Sequence, residues 1–128
     1  MSVFSDAELA YLTGGTAGRR LGRLATIDPD GTLNVVPLGY NYNPEHDTID
    51  IGGRDFAATR KFRNVAANPA VGFVVDDVLP PWRPRAVQVR GRAEALDSAT
   101  WPDGTSREAI IRIIPAKVIS WGLDEVPS

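Results

Sequence analysis

Residues 52–64 read GGRDFAATRKFRN and gather Arg54, Arg60, Lys61 and Arg63 against one acid, Asp55. The chain has a formal net charge of −2 at pH 7, so this segment, four cations against one acid, inverts the local sign. On a helix beginning near Asp55, residues Ala58, Phe62, Val65 and Ala66 fall at i, i+4, i+7 and i+8 and form an apolar stripe for a core. Arg60, Lys61, Arg63 and Asn64 fall outside that stripe. Such a placement suits either a solvated helix face or a clamp for a ligand with several negative charges. No acid lies between Asp55 and Asp76, whereas a solvated face ordinarily mixes signs to avoid self-repulsion, and this speaks for the clamp. Gly52 and Gly53 let a ligand approach the backbone closely, and Thr59 adds a hydroxyl. With Asp55 as helix cap, a phosphate is expected on second-turn side chains rather than on the bare helix dipole.

Much other chemistry is excluded by composition. There is no cysteine and one histidine, His46, so disulfide scaffolds, thiol catalysis, Ser-His-Asp triads and His-rich metal sites are out; no metal site is expected. His46 lies in the polar turn NPEHDT and reads as a solvated loop residue. Asp76 and Asp77 are adjacent on a strand and point to opposite faces, which argues against a paired-carboxylate mechanism. Tyr40 and Tyr42 are candidate proton donors, with packing the commoner role for strand tyrosines. Trp82, with Arg83 and Arg85, is either a lid or partner contact that stacks on a ligand, or a surface tryptophan folded onto the protein. Trp121 and the isoleucines at 110, 111, 113 and 114 are assigned to the core. No broad basic surface suggests nucleic acid. No apolar run is of membrane-spanning length and MSVFSDAEL lacks the layout of a signal peptide, so the expected compartment is the cytoplasm.

The elements that must position these residues fit one domain spanning residues 1–128. SDAELAYL is a short helix opened by a capping box of Ser5 and Glu8, stopped by TGGTAG. LGRLATI (21–27), the turn DPDG and TLNVVPLGYNY (32–42) form a hairpin, with Pro37 marking an edge, a bulge or a place where something other than a strand approaches. TIDIGG (48–53) is a third strand. The main helix follows, from Asp55 to Asn68-Pro69. AVGFVVDDV (70–78) and RAVQVRGRAEAL (85–96) are strands separated by the proline-stiffened loop PPWRPR, and residues 108–123 are a last strand broken by Pro115. The expected fold is mainly β, a six-stranded antiparallel split β-barrel with one main helix and a short N-terminal helix.

The order strand, hairpin, strand, Gly-Gly and then ATRKFRNVAANPAVGFVV resembles the flavin-binding split β-barrel family of pyridoxamine 5'-phosphate oxidase. In that family a Ser/Thr-Arg-Lys helix, matched by Thr59-Arg60-Lys61, clamps the cofactor phosphate. A helix end of the type Asn-Pro-x-Val is matched by Asn68, Pro69 and Val71, and VQVRGRAEAL is similar to a strand that contributes to the dimer interface. The segment after VISWGLDE lacks the Trp and Arg-Leu that the oxidase uses on pyridoxal phosphate, so that reaction is not expected. The combination of GRLATIDPDGTLNVVPLGY, TRKFRN, PWRPRAVQVRGRAE and IRIIPAKVISWGL resembles the actinobacterial branch that uses the deazaflavin coenzyme F420. The resemblance implies a homodimer with F420, or alternatively FMN, between subunits, a hydride transfer to a small organic molecule, and a ring lying along Val35, Val36 and Pro37. It implies cofactor contacts from Gly52, Gly53, Arg54, Thr59, Arg60, Lys61, Trp82 and Arg85. No catalytic side chain is singled out, because the cofactor carries the chemistry. A noncatalytic carrier of F420, FMN or haem is the alternative from another class, the haem version being weakened by the single histidine.

Overall fold

The architecture follows from a computed structural model that describes residues 2–14, 20–100, 104 and 106–123. Helix α1 (Asp6–Thr13) is followed by β1 (Gly22–Ile27), β2 (Leu33–Leu38), β3 (Asn41–Asn43) and β4 (Thr48–Gly52). A 3-10 turn (Phe56–Ala58) leads to α2 (Arg60–Ala67), then β5 (Ala70–Leu79), β6 (Arg83–Leu96), β7 (Ala99–Thr100), β8 (Ser106–Arg107) and β9 (Ile110–Trp121). Seven strands make one antiparallel sheet in the order β2-β1-β5-β6-β9-β4-β3, and β7 pairs only with β8.

The order itself requires curvature. β2 and β3 lie at opposite edges of the sheet, yet only Gly39 and Tyr40 separate them in the chain. Three residue steps reach at most about 11 Å, so the sheet must curl until its edges approach each other. The result is a half-barrel split between β2 and β3. This is also why the sheet has seven strands where six are expected from the sequence: TLNVVPLGYNY does not run on as one strand. It changes partner at Tyr40, whose ring is buried in the core and whose hydroxyl donates to the Leu12 carbonyl at 2.8 Å. Pro37 sits on an edge strand, where its missing N–H costs no ladder bond.

Alternating residues fill the interior. Leu24, Phe73, Val75, Val87, Val89, Ile49, Ile51, Ile111 and Ile113 are buried in one cluster, each contributing about 1.5–3 kcal/mol of apolar burial. Helix α1 belongs to the same core through Tyr11 and Leu12 and keeps the Ser5–Glu8 capping box. Glu8 also accepts from the Ser120 hydroxyl at 2.6 Å, fixing α1 to β9. Gly14 is its C-cap, and the remainder of TGGTAG lies outside the described residues.

Three local readings are corrected. Pro115 does not break β9: the register shifts between Arg90 and Gly91, and the bulged chain runs on. Gly91 permits this, since a side chain there would collide with the Ile114 carbonyl. PPWRPR is not a loop of six residues, because Leu79 pairs with Arg83 and only Pro80, Pro81 and Trp82 turn the chain. Trp121 is not in the core but 47% exposed on the outer face, and Ile114 is half-buried. Asp50 is fully buried without strain: Arg112 donates to both its oxygens at 3.2 and 3.1 Å, and Asn43 and Thr48 add 2.8 Å bonds.

Candidate functional site

Helix α2 starts later than the sequence suggests. Asp55 has a left-handed backbone and makes no side-chain cap bond. The N-cap is Thr59, whose Oγ1 accepts from the Phe62 N–H at 3.3 Å and donates to the Phe56 carbonyl at 2.7 Å. Arg60 and Lys61 are therefore in the first turn, not the second, and that turn contains no acid. Cations there oppose the helix dipole, which favours anions at this end. The buried face of α2 is Phe62, Asn64 and Val65, while Ala58 and Ala66 are exposed. Asn64 is inside because Thr26 and the Asp28 carboxylate accept from its amide.

Two concavities are lined by this part of the chain. One is a cavity of about 1000 Å³, lined by Asn41, residues 52–58, Asp97, Glu108 and Ala109. Lys61 Nζ lies 5.2 Å from the centre of the ring of Phe56, one of the lining residues. Gly53 leaves the cavity wall open, since a Cβ there would meet only the Phe56 ring, at 3.5 Å. The second is a groove of about 500 Å³ between Arg60, Arg63 and Asn64 on α2 and Asp28, Pro29 and Asp30 in the β1–β2 turn. Folding thus brings to Arg60 two acids that are distant in sequence: its Nη1 lies 3.6 Å from Asp28 Oδ2. The larger cavity is not the place for a phosphate. Asp55, Asp97 and Glu108 outnumber Arg54 in its wall, whereas the first turn of α2 carries Arg60 and Lys61 and no acid.

The other residues expected at the site are spread out. Val35 and Pro37 are exposed on the outer face of β2, Val35 at 62%, with Val36 half-buried. Trp82 projects from the β5–β6 turn, 74% exposed. It and Arg85 are at the start of the fourteen-residue β6, while the cavity begins just past its end at Asp97, roughly 45 Å of extended strand away. One chain does not bring them to α2. Arg85 is also 8% exposed and committed to Asp77, with Nε to Oδ1 at 2.8 Å and Nη2 to Oδ2 at 2.6 Å. Arg85 thereby holds the Asp77 carboxyl down at about 2, helped by the Tyr11 hydroxyl at 2.8 Å. Burial, then Asp77, pushes the Tyr11 hydroxyl well up, and both Arg20 and Arg85 stack on its ring. This is a structural cluster that no short motif announces. Asp76 points the other way, to Arg23.

Neither tyrosine proposed as proton donor lines the cavity. Tyr40 is buried against Leu12, and Tyr42 donates to Asp47 at 2.6 Å, its hydroxyl pushed up by burial and by that carboxylate. His46 is exposed. Among the described residues no cluster of acids and histidines could hold a metal ion.

The sequence pattern of pyridoxamine 5'-phosphate oxidase matches residues 13–121. The chain belongs to the pyridoxamine 5'-phosphate oxidase family. The 5a,11a-dehydrotetracycline/5a,11a-dehydrooxytetracycline reductase of Streptomyces rimosus is 39% identical to this chain over 128 residues, 94% of this chain and 84% of the reductase. Among solved structures, a conserved hypothetical protein of Mycobacterium tuberculosis superposes with a TM-score of 0.71 at 22% identity, over 99% of this chain and 91% of that one. A protein described as an F420 reductase superposes with a TM-score of 0.57 at 26% identity, over 78% and 89%. A FAD-binding protein of Mesorhizobium loti shares the fold, with a TM-score of 0.62 at 24% identity over 91% and 93%. The half-barrel is thus a fold that other proteins share. The segment after Leu123, on which the contrast with the oxidase rests, lies outside the described residues.

Proposed function

We propose that this protein is an F420-dependent oxidoreductase that reduces an unsaturated small organic molecule. The relatives support an oxidoreductase of this family with a flavin-type or deazaflavin cofactor: the Streptomyces reductase by its identity, and the F420 reductase by sequence and fold together. The observation that carries the reading is the acid-free first turn of α2, where Arg60 is exposed and Lys61 half-buried. Such a donor set suits a phosphate-bearing cofactor, because the helix end and both side chains favour the same sign.

When bound, the cofactor supplies the hydride. The chain's residues bind and orient it. Lys61 and Arg60 hold the phosphate, while Gly52 and Gly53 allow close backbone approach. Val35, Val36 and Pro37 offer an apolar strand for the ring, and Arg54 and Arg63 are exposed cations for the further carboxylates of F420. Thr59 acts through its cap, since its hydroxyl hydrogen is used on Phe56.

The site is proposed to be completed in a homodimer. Leu33, Val35, Val78 and Trp121 are large apolar residues exposed on the outer face of the sheet, and Trp82 stands free at a hairpin tip. Apolar surface of this kind marks an association site. A second copy would carry its Trp82 tip toward α2, which one chain does not do. Cytoplasmic location remains part of the proposal; among the described residues no helix is long and apolar enough to cross a membrane.

A noncatalytic carrier is the second reading, favoured by one observation: Tyr40 and Tyr42 are both bonded away from the cavity. Turnover separates the two. Purified protein mixed with reduced F420 and a panel of α,β-unsaturated carbonyl compounds should oxidise the cofactor in step with loss of at least one acceptor. Tight binding with no oxidation beyond the protein-free control would favour the carrier.

A further inference from the structure

Asn64 is a buried polar side chain, 3% exposed, on the core face of a helix. Its amide donates to Thr26 Oγ1 at 3.1 Å and to Asp28 Oδ1 at 2.7 Å. Asp28 is held by its backbone as well, donating to the Thr32 carbonyl and accepting from the Gly31 N–H, both at 2.8 Å. One carboxylate oxygen and the main chain are thus fixed, leaving Oδ2 directed at Arg60 Nη1, 3.6 Å away. Arg60 is itself 67% exposed, a long side chain with many rotamers in solvent.

We propose that Asp28, set by Asn64, is a positioning residue that pre-orients Arg60 for the anion at the start of α2. The inference rests on the Arg60 contact of the proposed function. Two effects oppose each other, because a carboxylate orients a guanidinium but also repels an anion. Orientation prevails for two reasons. The separation of 3.6 Å is too long for a hydrogen bond, so the Arg60 donors stay available to a ligand. The Asp28 carboxylate and backbone are already held by Asn64, Thr32 and Gly31, so Oδ2 keeps one position and restricts the guanidinium beside it.

The test is fluorescence titration of the intact protein with F420 and with FMN, alongside thermal unfolding of each variant. Asp28→Asn should weaken binding of the cofactor that wild type takes by about two- to fivefold, the range of an exposed ion pair. Asp28→Glu should recover part of the loss. In an Arg60→Ala background Asp28→Asn should add nothing, which a merely structural role would not produce. Unchanged or tighter binding by Asp28→Asn, or an equal loss without Arg60, overturns the inference. Failure of wild type to bind either cofactor overturns the clamp as well, so the two failures are distinguishable.

Discussion

Thr59 and Phe56 are joined by a 2.7 Å hydrogen bond from the threonine hydroxyl to the phenylalanine carbonyl, and the same hydroxyl accepts from Phe62. One side chain closes the 3-10 turn and starts α2. Thr59→Ala should therefore cost about 0.5–2 kcal/mol of stability by loss of the cap, and Thr59→Ser should cost much less. Urea denaturation of both variants checks this. An alanine variant as stable as wild type would show that the cap is idle.

Lys61 makes no ion pair among the described residues and meets only the Phe56 ring. Lys61→Ala should leave the melting temperature nearly unchanged while removing a charge-assisted contact of ~1.5–3 kcal/mol, roughly ten- to a hundredfold in cofactor affinity. Loss of stability without loss of affinity would reassign the lysine to folding.

The Asp77 carboxyl, at about 2 in the folded chain against an ordinary 3.8, gives stability an acid limb. Its folded value is depressed, so the contribution is present above about pH 4 and lost as pH falls toward 2. Discounted for a partly exposed group, this depression corresponds to about 1–2 kcal/mol. Asp77→Asn should be less stable than wild type near pH 6, and the gap should shrink by that amount near pH 2. A gap independent of pH would contradict the Arg85–Asp77 account.

Much of this was legible because it depended on local chemistry. The capping box at Ser5 and Glu8, the alternation in β6 and the stop at Asn68-Pro69 are all short-range signals, whereas AVGFVVDDV reads as a continuous apolar run and β5 in fact alternates between buried and more exposed positions. The start of α2 was misread because Asp55 and Thr59 are both acceptable caps, and only the intervening 3-10 turn decides between them. Asp28 beside Arg60 and Asp77 beneath Tyr11 are contacts across 32 and 66 positions, set by how the sheet curls, and periodicity carries no trace of them. Hydrophobicity alone assigns Trp121 inward, and only the pairing of β9 in the curled sheet shows it exposed on the outer face.

For the dimer, light scattering should report about twice the 13.8 kDa chain mass. Val35→Glu, on the exposed face of β2, should shift the mass toward one chain and weaken cofactor binding together. A monomeric variant with undiminished affinity would separate the site from any interface.

Parallel titration of the wild-type protein with F420 and FMN, at low and moderate salt, tests the central claim most directly. Both cofactors carry a phosphate that Arg60 and Lys61 can hold, so preference must come from the additional carboxylates of F420 meeting Arg54 and Arg63. Each such exposed contact is worth ~0.2–1 kcal/mol and is screened by salt. The account predicts tighter binding of F420, with the margin over FMN narrowing as salt rises. A protein that binds FMN at both salt concentrations, with F420 binding undetectable at either, would contradict it.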